Sequence, residues 1–184
     1  MTCDTLRRVR DATREPHQRL ERRLDILRRI ACADQRRELV GRFGALHVDA
    51  ETALAPWLSG MAELDFEARR RSPRLARDMA VLGLRAPSGG GEPIRLRNVG
   101  EALGLMYVLE GSTLGGRVIR RHVEGAGGDL TGLSFLDPYG RRAGERWRGF
   151  LSVLSAAPQA DDVVAGSVAG FEHVERRLCG RADA

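Results

Sequence analysis

The chain has 184 residues, 42% of them hydrophobic and 5% aromatic, with a formal net charge of +5 and a pI near 10.0. That length suits one domain able to bury a core without disulfides or metal staples. The basic balance rests wholly on arginine, since the sequence holds no lysine; it favours anionic partners. The scarcity of aromatics argues against stacking on single-stranded nucleic acid, and no nucleic-acid motif appears.

The three cysteines, Cys3, Cys32 and Cys179, are scattered and odd in number, with no CxxC pairing, which is the usage of a reducing compartment. The N-terminal MTCDTLRRVRDATREPH is too charged for a signal peptide, and no apolar stretch approaches the ~20 residues that span a bilayer. The expectation is a cytoplasmic protein with no membrane segment.

Helical periodicity runs the length of the chain. Thr2 or Asp4 can cap a first segment whose pattern continues toward Ile30. Pro16 falls inside it, where it would remove a backbone donor. The simpler reading makes Thr13 an N-cap, with Pro16 in the first turn of a helix carrying His17, Leu20, Leu24 and Leu27; a single kinked helix is the alternative. A second helix is expected from Asp34, with Leu39, Phe43, Leu46, Ala50, Ala53 and Leu54 at spacings of three and four, closed by Pro56. Ser72 and Pro73 read as N-cap and first residue of a short helix ending near Gly83. The stretch APSGGGEP (86–93) reads as a flexible connection.

Asn98 and Glu101 form an N-x-x-E capping signature that opens a long apolar helix ending before Gly125. A Gly-, Asp- and Pro-rich loop (125–140) follows, then a helix around Arg142–Leu154 with Trp147, Phe150 and Leu154 on one face, and a last helix over Asp161–Leu178. No alternating strand pattern and no repeat is present, so the fold is expected to be all-α.

The Asn98 helix contains YVLEGSTLGGRVI (107–119), in which Gly111, Gly115 and Gly116 interrupt an apolar run. Each glycine costs roughly 0.5–1 kcal/mol against alanine in a helix interior. The spacings Gly100/Gly104 and Gly111/Gly115 suit close backbone packing. The Gly115-Gly116 pair equally suits a backbone lying over a flat ligand, or a segment that flexes. Of the four histidines, His122 and His173 read as surface and structural residues. His17 and His47 each have a carboxylate four residues on, Glu21 and Glu51, on the same helical face. Such a carboxylate can orient one ring nitrogen and leave the other for a metal; it can also be a plain surface pair.

The GSTLGG core resembles the distal helix of the bacterial haem oxygenases, particularly the biliverdin-producing type associated with bacteriophytochromes. TREPHQRLE (13–21) resembles that family's proximal helix, and the WRGFL stretch (147–151) and closing helix also match, so the resemblance spans nearly the whole chain. It implies a single all-α domain over residues 1–184, a helical bundle holding haem between its first helix and the glycine helix. His17 would be the proximal iron ligand and Glu21 its hydrogen-bonding partner. Gly111, Gly115 and Gly116 would let the distal backbone approach the oxygen that attacks the porphyrin, and Arg10 and Arg148 would hold the propionates. Mammalian-type members carry an aspartate directly after the first distal glycine; here that position is Ser112, whose hydroxyl is a weaker anchor for water.

The implied reaction opens haem to biliverdin with release of CO and iron, using O2 and electrons from an external reductase or ferredoxin, since no dinucleotide fingerprint is present. A bacteriophytochrome would be a recipient for the product. Two rivals are a haem-oxygenase-like binding or regulatory protein without turnover, and a carboxylate-bridged metal enzyme built on His17/Glu21 and His47/Glu51.

Overall fold

A computed structural model describes residues 2–180, with side chains from Asp4 onward. The Thr2 cap and the Cys3 thiol lie outside the described side chains. Among the described residues there are seven helices: α1 (Thr2–Leu24), α2 (Ile26–Ala31), α3 (Ala33–Leu58), α4 (Ser72–Val81), α5 (Val99–Gly125), α6 (Ala143–Ala156) and α7 (Ala160–Cys179). Single 3-10 turns stand at Glu67–Arg69, Ser134–Leu136 and Gly140–Arg142, and no strand occurs among the described residues.

The first helix differs from the simpler expectation. Thr13 is not an N-cap: its hydroxyl donates to the Val9 carbonyl at 2.7 Å, and α1 runs unbroken through Pro16. The proline removes one hydrogen bond, to Ala12, while α1 keeps its packing along α7, which decides the outcome in a helix this long. The chain breaks at Asp25, whose φ of 41° is left-handed, and α2 follows as a separate short helix. Asp4 lies in the first turn of α1 rather than capping it. Pro56 likewise stands inside α3, which ends two residues later at Leu58.

At the start of α4 the cap comes from another helix. The Glu51 carboxylate of α3 accepts the backbone N–H groups of Arg71 (2.6 Å) and Ser72 (3.0 Å), and the Ser72 hydroxyl also donates to it. A carboxylate there satisfies orphan donors and complements the helix dipole. Asn98 does cap α5, accepting from the Glu101 N–H at 3.0 Å, and α5 continues without interruption past Gly115 and Gly116 to Gly125.

Helices α5 and α7 pack backbone to backbone. A Cβ at Gly104 would strike the Val163 carbonyl and come within 2.5 Å of the Ser167 nitrogen, and one at Gly166 would strike the Glu101 carbonyl. These two positions require glycine for close approach. Two apolar clusters result. One joins α3, α6 and the first half of α5 around Leu54, Leu58, Leu103 and Phe150. The other gathers Leu20, Leu24, Leu46, Phe135, Leu136, Phe171 and Val174 around an open cleft. No helix among the described residues is long and apolar enough to cross a membrane.

Candidate functional site

The cleft has a volume of about 800 Å³ and lies between α1 and the second half of α5, with α7 and the 3-10 turn at Ser134–Leu136 closing its sides. Its wall is mainly apolar, and its size falls within the range of sites that bury a sizeable organic ligand. His17, Glu21, Arg10, Gly111, Ser112, Gly115 and Gly116 all line it. Arg148 does not: it is exposed on α6, while its neighbour Trp147 faces the cleft.

On the α1 side, His17 projects into the cleft with its side chain 55% exposed, so its position is not dictated by core packing. Nε2 lies 3.5 Å from Glu21 Oε1, and the ring edge packs on Phe171 with centroids 5.5 Å apart. Nε2 therefore faces a carboxylate, and Nδ1 is left for a ligand. One and two turns back, Arg14 and Arg10 line the same wall. Tyr107 of α5 lies close to Arg10 and Thr13; burial raises its phenol, against the lowering influence of Arg10. Arg14 was not singled out from the sequence, although its place three residues before His17 puts it on the same face.

On the α5 side the three glycines separate by their surroundings. Gly116 packs against the backbone of Leu136, where a Cβ would collide with the carbonyl. At Gly115 an added Cβ would meet nothing within 4 Å among the described residues, and at Gly111 it would make only ordinary contact, 3.6 Å, with Trp147. Packing thus explains Gly116 but not Gly111 or Gly115. Glycine at those two leaves a bare stretch of helix facing the cleft.

The polar part of the wall was largely missed from the sequence. His47 lines the cleft and is 3% exposed, so its pair with Glu51 is not a surface pair. Nδ1 faces Glu51 Oε1 at 3.4 Å. Burial holds the imidazole below its ordinary value, so it is neutral at neutral pH. Burial alone would raise the Glu51 carboxyl, but the hydrogen bonds from His47, Ser72 and the Arg71 N–H outweigh it and hold its pKa at about 2. Arg71, buried and also lining the cleft, donates to Ser112 Oγ at 3.0 Å and to the Leu109 carbonyl. Ser112 in turn donates to the Leu109 carbonyl at 2.8 Å. A neutral imidazole, a guanidinium and a hydroxyl therefore form one polar patch beside the bare glycine backbone.

The donor set suits an iron porphyrin: one available imidazole, an apolar cleft with a bare stretch of helix on one side, and arginines along one wall for carboxylates. Among the described residues no group of three or more His, Cys, Asp or Glu side chains is gathered for a metal ion, so His17/Glu21 and His47/Glu51 form no shared metal centre.

No protein-family model matches the chain. A protein of Xanthomonas campestris pv. campestris (strain 8004) named "Heme oxygenase" is 34% identical over 158 residues, covering 82% of this chain and 92% of that protein. The NO- and CO-bound heme oxygenase of Neisseria meningitidis, known from crystal structures, aligns with a TM-score of 0.80 at 20% identity, over 98% of this chain and 94% of that one. The second likeness speaks to the fold.

Proposed function

The chain belongs to the haem oxygenase family, and from that premise we propose how its residues divide the work of opening haem. The enzyme cleaves haem to biliverdin with release of CO and iron, using O2 and a reductant. Haem is both the substrate and the redox centre at which dioxygen is reduced. Residues 1–184 act as one domain.

His17 would hold the haem iron through the ring nitrogen that does not face Glu21, and Glu21 would orient the ring. The exposed imidazole, held by a carboxylate and a ring edge over an apolar slot, supports this role. Arg10, assisted by Arg14, pairs with the propionates; Arg148, exposed on α6 and off the cleft wall, takes no part in this pairing. Gly111 and Gly115 keep side chains out of the space over the porphyrin, Gly116 lets the same stretch of α5 lie against the Leu136 backbone, and Ser112 anchors solvent there.

Arg71 and the neutral His47 supply what Ser112 lacks. Arg71 is a fixed positive charge on the Ser112 hydroxyl, and His47 can pass a proton without first losing one. Together they stand in for a distal carboxylate as the group that holds the proton route in place. Electrons come from an external reductase or ferredoxin, and the product passes to an acceptor such as a bacteriophytochrome in the cytoplasm. One observation carries the assignment: six residues singled out from two separate motifs, together with Arg10, line a single cleft.

The test is turnover. Haemin-loaded protein given ascorbate in air is expected to lose its Soret band as a biliverdin spectrum grows, with iron and CO released. A stoichiometric Soret complex that neither ascorbate nor a competent reductase converts would overturn it.

A further inference from the structure

Behind the polar wall of the cleft lies a second cavity, a crevice of about 290 Å³ between the start of α4, the segment before it, and the start of α6. Seven of its eleven lining residues are arginines and none is acidic. Four of the seven are already paired. Arg69 holds Glu110, Arg70 holds Glu51 and Glu67, Arg142 holds Glu145, and Arg146 holds Asp65 while lying 5.7 Å over the Tyr139 ring. The other three, Arg71, Arg74 and Arg77, have no carboxylate within 4 Å among the described residues. Arg74 bonds only the Pro138 carbonyl, at 3.3 Å, and Arg71 only neutral acceptors.

Like charges gathered in one concavity repel; the Glu110 and Glu51 carboxylates lie close enough to act on Arg71, but Arg74 and Arg77 have no carboxylate partner among the described residues. The usual neutraliser of a helix N-terminus is absent as an explanation too, because Glu51 already occupies that place on α4. What the crevice lacks is an oxyanion. Guanidinium forks match phosphate oxygens two at a time, and the space exceeds that of one phosphate group.

We propose that this crevice binds a phosphate-bearing small molecule through Arg74, Arg77 and Arg71. The site is separate from the haem cleft but shares a wall with it, since Arg71 lines both and carries the Ser112 hydroxyl on its far side. Binding there requires no haem and is independent of the haem-opening reading.

Thermal unfolding of the haem-free protein tests it, with inorganic phosphate and pyrophosphate as probes and sodium chloride at matched ionic strength as the reference. The expected result is a saturable rise in unfolding temperature over chloride. It should weaken roughly tenfold in apparent affinity in Arg74→Gln/Arg77→Gln, where two charged hydrogen bonds are lost. The charge-matched variant Arg22→Gln/Arg121→Gln, altered at exposed sites elsewhere, should respond like the wild type. Equal affinity for the two probes assigns a single phosphate group, and a preference for pyrophosphate an extended one. A response no larger than chloride's, or one the two variants share equally, would overturn the proposal. An unchanged unfolding temperature of both variants in chloride shows that they fold.

Discussion

The Glu110 carboxylate and the Arg69 guanidinium meet at 2.6 Å with side chains 1% and 3% exposed, one residue before the first glycine of the cleft wall. Tyr139 donates to the other oxygen of Glu110 at 2.7 Å, and Arg69 also donates to the Leu64 and Arg146 carbonyls. This network ties α5 to the segment before α4 and to α6, and so sets where the glycine stretch lies. Removing one charge strands the other in the interior. Glu110→Gln is expected to cost roughly 3–5 kcal/mol of stability, read from urea unfolding. The double change Arg69→Met/Glu110→Leu should recover part of that loss, because it strands no charge.

The two adjacent glycines should answer alanine in opposite ways. Gly115→Ala meets open space, so the haem-free protein should gain about 0.5–1 kcal/mol from helix propensity while haemin binding and turnover fall. Gly116→Ala drives a methyl group into the Leu136 backbone and should lose about 1–3 kcal/mol. Chemical unfolding and haemin titration of both variants check the pair; equal effects on stability would contradict it.

Acid sensitivity should begin at the polar wall. His47 is buried below its ordinary value of 6.5, so as pH falls past 6.5 the unfolded chain takes up a proton that the folded chain refuses, and stability declines. Glu51 adds to this lower down. Its folded value of about 2 against 4.5 makes stability fall as pH drops from 4.5 toward 2, a linkage of roughly 3 kcal/mol. Glu51→Gln should therefore be less stable at neutral pH and show a shallower loss across the lower window, measured as unfolding free energy between pH 7 and 2.5.

Turnover should separate from binding at Ser112. Ser112→Ala leaves His17 and the apolar slot intact, so haemin affinity should hold. The rate of biliverdin formation should fall roughly tenfold or more, with a larger solvent isotope effect. An unchanged rate would mean that Arg71 and His47 hold the proton route without the hydroxyl.

Much of this was legible because helices repeat locally. The Asn98 cap, the α5 boundaries and the placement of His17, Glu21 and Arg10 on one wall follow from spacings within a single helix. Pro16 misled because its local cost is outweighed by the packing of α1 along α7, which the surrounding residues do not announce; Pro56 marks the end of α3 to within two residues. Identical GxxxG spacings concealed different duties. Gly104 serves helix packing against Val163 and Ser167, while Gly111 and Gly115 face the cleft. His47 went unrecognised because its setting is built by Arg71 and Ser72, more than twenty residues away; Glu51 at i+4 was the one local signal.

The central claim is that His17 holds the haem iron, and optical titration with haemin of the wild type and His17→Ala tests it most directly. His17 is exposed and makes no buried hydrogen bond, so the variant should fold with unchanged stability. The account predicts a stoichiometric Soret complex in the wild type that is lost or shifted in His17→Ala. A variant complex identical in affinity and spectrum would contradict it.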